Sequence, residues 1–267
     1  MSAVVTSRYC SQVEQRWVAT YAFHWRPLVS FKQRRDALAM WMDDNVLPRA
    51  VLDRDDVLGI AVEHSALRIT VDRSGFQISV GAPGIDVSSL EAAFGGVFSI
   101  MRPVNLHIAF GRTLSSLELD VVNYDDARKN FAKKCTGPLD GGFEVVDGAA
   151  TVDLVTNASQ LHVEFGVASN QELRERLRTP LQSSKTGLAL PSLSRIGSKI
   201  PEVVLLSDVD WRTSGNFKKP DDQDLASCWR YVLSAIEAVN GDASAVGHAL
   251  ARNMEERGNC DGFNRGA

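Results

Sequence analysis

Apolar and polar residues alternate with a period of two over many segments of this chain, which restricts it to folds built on a half-buried sheet. The clearest stretch is ALRITVDRSGFQISVG at 66–81. Leu67, Ile69 and Val71 alternate with Arg68, Thr70 and Asp72, and the pattern resumes beyond a Ser-Gly step as Phe76, Ile78 and Val80. Two such runs around a short polar turn predict an antiparallel hairpin with one buried face. RWVATYAFHW predicts another strand, with Trp17, Ala19, Tyr21, Phe23 and Trp25 on one face and Val18, Thr20, Ala22 and His24 on the other. Because its aromatic row alternates with polar residues, it is assigned to packing rather than to base stacking, with Trp25 expected to be exposed at the strand end.

Helix signals separate the strands. Ser30 with Gln33 predicts a capping box for a helix carrying Leu38, Trp41 and Met42 and running as far as Pro48. Strand pattern resumes at VLGIAV and continues through the 66–81 hairpin. Ser88 with Glu91 predicts a second helix with a stripe of Leu90, Phe94, Val97, Phe98 and Met101. Gly95 and Gly96 interrupt that stripe at roughly 1 kcal/mol each relative to alanine, a cost accepted where a helix lies closely on a neighbour.

Beyond it, VNLHIAFG and LSSLELDVV read as two separate strands. A short helix is expected over Asn123 to Cys135, and ATVDLVT with SQLHVEFG predicts a hairpin about Asn157-Ala158. Ser169 with Glu172 caps a helix carrying Leu173 and Leu177 and stopped by Pro180, and PEVVLLSDVDW is the closing strand.

This element order, βαββαβ read twice, predicts an α+β fold of two tandem ferredoxin-like units with strand order left open. The expected divisions are a disordered N-terminus at 1–15, units at 16–112 and 113–211, a C-terminal helical region at 212–257 and a disordered tail at 258–267. The aperiodic stretch at 179–201 lies outside the repeat. In the last region an acidic cluster at 221–224 opens a helix with Leu225, Trp229, Val232, Ile236 and Val239 on one side. A weaker helix is expected after Asn240-Gly241-Asp242, carrying Val246, Leu250 and Met254.

The bulk numbers narrow the classes. The 267 residues, 44% hydrophobic and 23% charged, suffice for one large core or two modest ones. A net charge of -4 argues against a dedicated duplex-binding protein, which would show a basic stripe. The four cysteines, at 10, 135, 228 and 260, form no CxxC pair, so reduced thiols and a cytoplasmic location are expected. No run approaches membrane-spanning length, and MSAVVTSRYCSQVEQR lacks the apolar core of a signal peptide.

The closing strand VVLLSDVDW, the acidic loop and the helix DLASCWRYVLSAIEAV resemble the C-terminal third of a sporadically distributed bacterial family of about this length. Its members also share the alternating N-terminal strand, a mid-chain hairpin and a strand-helix junction like VVNYDDARKNF. Here Val121 and Val122 precede Asn123, where the family commonly has Arg and Tyr. The family has no assigned activity, so the resemblance implies a fold and supplies no site.

Several residues have the types and spacing of functional groups. Asp208 and Asp210, two apart at the end of a strand, point the same way, as carboxylates sharing a divalent metal must. Glu118 and Asp120 have the same spacing. The ordinary alternative for both pairs is solvated carboxylates on a strand leaving the core. His107 and His162 occupy the non-core side of strands, with Glu164 beside His162, and a histidine near a carboxylate on an open sheet is a candidate general base. Tandem ferredoxin-like RNA endonucleases use such a histidine, but they carry a glycine-rich loop and a basic surface that this chain lacks.

SSKTG at 183–187 stands without GxxxxGK[ST] or SxxK, and the chain contains neither GxSxG nor HExxH. Lys185, Arg195 and Lys199 could meet an anionic ligand or stay solvated. Asn157-Ala158-Ser159 matches a glycosylation sequon and is read as a turn.

The resulting expectation is a non-catalytic cytoplasmic binding or assembly protein, homo-oligomeric, needing no cofactor. It would act through its sheet edges and C-terminal helices, with Trp229, Val246, Leu250 and Met254 at an interface. A protein partner is compatible with this, nucleic acid is disfavoured and no membrane is implied. The alternative is a nucleic-acid-processing enzyme that uses a sheet-face histidine or a metal at the paired aspartates.

Overall fold

The alternating segments join into one nine-stranded antiparallel sheet in the computed structural model, which describes residues 14–46, 50–62, 67–81, 87–119, 123–136, 147–182, 200–213, 220–221 and 224–260. The strands are β1 (Glu14–His24), β2 (Ala50–Arg54), β3 (Val57–Val62), β4 (Leu67–Asp72), β5 (Gly75–Gly81), β6 (His107–Glu118), β7 (Ala149–Val155), β8 (Ser159–Ser169) and β9 (Val203–Thr213). Helices are α1 (Phe31–Asn45), α2 (Val87–Met101), α3 (Tyr124–Thr136), α4 (Asn170–Gln182) and α5 (Leu225–Cys260). Across the sheet the order is β2-β3-β4-β5-β1-β6-β9-β8-β7. The α+β class is as expected, but in place of two separate units there is one continuous sheet.

The physical reason lies in β6. VNLHIAFG and LSSLELDVV were expected as two strands, yet residues 107–118 form one 12-residue strand that crosses the expected division at 112/113. It pairs with β1 on one side and β9 on the other, joining the halves of the chain edge to edge. Gly111 and Arg112, which looked like a break in the pattern, lie inside it. Between Ala22 and Phe23 the β1–β6 register shifts, and this bulge carries the alternation past the apparent gap.

A second register shift, between Arg16 and Val18, corrects the reading of the aromatic row. Tyr21 and Phe23 face the main core as expected. Trp17 joins the cluster on the opposite face, where it packs with Val18, Leu173 and Leu177 and its indole donates to Ser116 Oγ at 2.8 Å. Trp25 is buried rather than exposed, lies against Phe76 and donates to the Arg73 carbonyl at 3.2 Å.

The faces are covered unequally. Helices α1, α2, α3 and α5 lie on one side, over the cluster containing Tyr21, Phe23, Ile69, Phe94, Val209 and Trp211 and a smaller one containing Leu117, Phe131 and Leu205. Among the described residues α4 is the helix that packs on the other, through Leu173 and Leu177 against Val204 and Leu206. The start of α4 is the predicted capping box: the Ser169 amide donates to Glu172 Oε2 at 2.8 Å and the Glu172 amide to Ser169 Oγ at 3.3 Å. The helix continues through Pro180 to Gln182. Ser30 does precede α1, but its side chain makes no capping bond, and α2 starts at Val87, one residue before the expected cap. At Tyr124 the hydroxyl donates to Glu172 Oε2 at 2.7 Å and ties the start of α3 to that of α4.

The C-terminal region is one 36-residue helix, not two. Asn, Gly and Asp break helices when their polar groups compete for the backbone. Here the sheet engages them instead. Tyr21 donates to Asn240 Oδ1 at 2.6 Å, and both Ser159 Oγ (2.6 Å) and Trp211 Nε1 (2.9 Å) donate to Asp242 Oδ2. Burial pushes the Tyr21 hydroxyl up to about 12, keeping it a proton donor in this bond. Gly111 lets the helix come close, since a Cβ there would sit 2.6 Å from a Val239 methyl. Among the described residues no helix is long and apolar enough to cross a membrane.

Candidate functional site

The α4 side of β6, β9, β8 and β7 carries a row of charged side chains set by strand register, beyond the reach of α4's apolar contacts among the described residues. Arg112 stands opposite Asp210, Asp210 opposite His162, and His162 opposite Asp153. One step along, Asp208 stands opposite Glu164. Period-two alternation puts all of these residues on one face.

The strongest pair is Arg112 with Asp208. Its guanidinium reaches both carboxylate oxygens, Nε to Oδ1 at 2.9 Å and Nη2 to Oδ2 at 2.6 Å, and Nε also lies 3.7 Å from Asp210. The hydrogen bond to Asp208 raises the Arg112 pKa against the opposing effect of burial, so the arginine is permanently charged. Asp208 is buried, with its side chain 9% exposed, and the planar guanidinium meets both of its oxygens in a bidentate pair. Burial pushes the Asp210 carboxyl above its usual range. The nearby Arg112 opposes that rise and the Asp208 charge adds to it.

His162 donates from Nδ1 to Asp153 Oδ1 at 2.7 Å, and that bond holds its pKa above the ordinary 6.5. Glu164 lies 3.5 Å from Arg176 of α4. The raised folded pKa means the His162–Asp153 contact favours the folded state fully below the unfolded value and loses that contribution as pH rises through the folded value. Observed by NMR, the His162 ring is expected to titrate above 6.5, and Asp153→Asn to lower its midpoint. An unchanged midpoint would show that the ring is not bound to Asp153.

Asp208, Asp210, His162 and Glu164, singled out in the sequence, are thus brought together. His107 is not with them; it lies at the start of β6 with its ring 5.9 Å from that of His24 and Nδ1 3.0 Å from the Asn105 carbonyl. Both oxygens of Asp208, considered with Asp210 as a shared metal site, accept from the Arg112 guanidinium. Among the described residues no group of three or more His, Cys, Asp or Glu is arranged to hold a metal ion. Glu118 is exposed at the end of β6, while Asp120 lies outside the described residues, as do Lys185, Arg195 and Lys199.

Of the expected interface residues, Trp229 is half-buried and stacked on Phe94 at 5.4 Å, and Val246 and Leu250 pack against the chain's own core. The side chain of Met254 lies outside the described residues.

Sequence reasoning missed Arg112, Asp153 and Arg176. For Asp153 a signal was present, because a hairpin centred on Asn157-Ala158 dictates that 153 faces 162. Arg112 lay in the apparent gap between two strands. Arg176 meets Glu164 only through the tertiary docking of α4.

Compared with protein-family models, with curated proteins and with solved structures, the chain matches none. Its fold and site therefore define it by description: an α+β protein whose described residues form one nine-stranded antiparallel sheet, with four helices on one face and α4 beside a charged patch on the other.

Proposed function

We propose that this is a non-catalytic cytoplasmic binding and assembly protein that works as a homo-oligomer. The observation that carries the reading is that the ionisable groups of the patch are directed at one another. Arg112 holds Asp208, Asp153 holds His162 and Arg176 faces Glu164. A catalytic set keeps a reactive group aimed at an open position where a substrate atom can sit; paired side chains on an uncovered sheet instead present alternating charge for recognition. Sedimentation velocity across a concentration series should show a reversible shift to a larger species. A single monomeric species up to high micromolar concentration would overturn self-association.

One geometric feature favours a second reading, a nucleic-acid-processing enzyme. His162 lies opposite Asp210, and both titrate above their ordinary values, as an acid-base pair would. Labelled RNA and DNA incubated with the protein, with and without magnesium or manganese, are expected to stay intact. Cleavage abolished by His162→Ala would replace the binding reading.

Membership in the bacterial family that the chain resembles is part of the same proposal, supported by the shared order of elements. So is a ferredoxin-like descent of both halves, with β6 shared. The order β4-β5-β1-β6, with α1 and α2 as crossovers, supports the first half. For the second, β6-α3-β7-β8-α4-β9 repeats the element order alone, since its first and last strands exchange places in the sheet and α4 lies on the opposite face.

A further inference from the structure

The sheet ends in two edges of unlike character. β2 is five residues long and carries Asp53 and Arg54, with Asp53 3.0 Å from Arg35. Short, charged edges of this kind resist pairing with another chain. β7 is seven residues long, AATVDLV, with neither proline nor lysine and Asp153 as its one charge. Among the described residues nothing pairs with its outer side, since β8 is its one neighbour in the sheet. Leu154 is 38% and Val155 75% exposed, so the strand combines an open backbone edge with uncovered apolar side chains.

We propose that β7 pairs antiparallel with β7 of a second copy about a two-fold axis at Val152, making one sheet continuous through both molecules. The proposal rests on the self-association reading above and specifies where it occurs.

The register follows from charge and side-chain size. Opposed residues in an antiparallel pair share a face, so a two-fold axis must fall on a residue rather than between two. Centred on Val152, all seven residues find partners: Val155 meets Ala149 of the second copy, Leu154 meets Ala150, and Asp153 meets Thr151, whose hydroxyl can donate to the carboxylate. Centred on Asp153, two aspartates would stand directly opposite each other, which is destabilising. Centred on Thr151, the exposed Val155 would lie beyond the strand, beside Asp147. Avoiding the aspartate pair while keeping all seven residues partnered therefore selects Val152. A single edge strand makes a small interface, so the dimer is expected to be reversible and concentration-dependent.

Three single-cysteine variants read the register. Cα atoms opposed in an antiparallel pair are roughly 4.5–5.5 Å apart, within disulfide reach. Under mild oxidation Val152→Cys should give a covalent dimer in high yield, while Thr151→Cys and Asp153→Cys should stay at the background of the wild-type chain, which has four cysteines of its own. Separately, Val155→Lys places a charge on a side chain already exposed in the folded monomer and should weaken the dimer by about tenfold or more. Its circular dichroism should be unchanged.

Cross-linking at 151 or 153 in place of 152 would overturn the proposed register. A dimer that Val155→Lys leaves intact, with no cross-link at 152, would overturn the β7 site while leaving homo-oligomerisation standing. A monomer at all concentrations would overturn both.

Discussion

Trp211→Ala is expected to cost about 3–5 kcal/mol, enough to unfold a domain of ordinary stability. Trp211 is fully buried on β9 in the main core, and its indole donates at 2.9 Å to Asp242 of α5. The substitution therefore opens a large cavity under the helix and removes one of the two bonds that hold Asp242 in place. Trp211→Phe separates the two effects: most of the ring volume stays and the donor is lost, so about 1–2 kcal/mol is expected. Urea unfolding of the three proteins, followed by circular dichroism, measures both. A loss below about 1 kcal/mol for the alanine variant would mean that α5 does not rest on Trp211, because even a partly relaxed cavity of this size costs more.

The adjacent glycines of α2 should respond in opposite directions. A Cβ at Gly96 would fall 2.2 Å from the Trp41 ring, too close for any side chain without moving α1, so Gly96→Ala is expected to destabilise by about 1–3 kcal/mol through overpacking. At Gly95 a Cβ meets nothing within 4 Å, so Gly95→Ala should stabilise by roughly 0.5–1 kcal/mol, the ordinary helix preference for alanine. Thermal melts of the two variants measure the contrast. Equal effects would show that α1 and α2 do not meet at Gly96. Close packing was the reason expected for both glycines, and it holds for one of the pair.

The candidate site was partly legible for a definite reason. Whether residues share a sheet face depends on sequence parity, so Asp208 with Asp210, and His162 with Glu164, were recognisable as same-face pairs. Asp153 opposite His162 follows from the hairpin centre. What joins these pairs is the β8–β9 register, and that forms between strands separated by α4 and by the undescribed residues 183–199. No local pattern encodes such a pairing.

By itself the sequence determined the α+β class, most strands, the caps of α4 and α5 and which side chains of each strand are apolar, because all of these follow from spacing along one segment. The cap of α5 is of this kind: the Ala226 amide donates to Asp224 Oδ1 at 3.0 Å, as an acidic start to the helix predicts. Tertiary structure decided the rest. Two bulges in the β1–β6 pairing moved Trp17 to the other face and carried β6 through an apparent break, merging two expected units into one sheet. Asn240 and Asp242 became helical because Tyr21, Ser159 and Trp211 took up their polar groups. A bulge is a matter of how two strands meet, and a polar residue's preference changes when a distant partner satisfies it. Both depend on contacts between segments far apart in the chain, and only the folded arrangement supplies them.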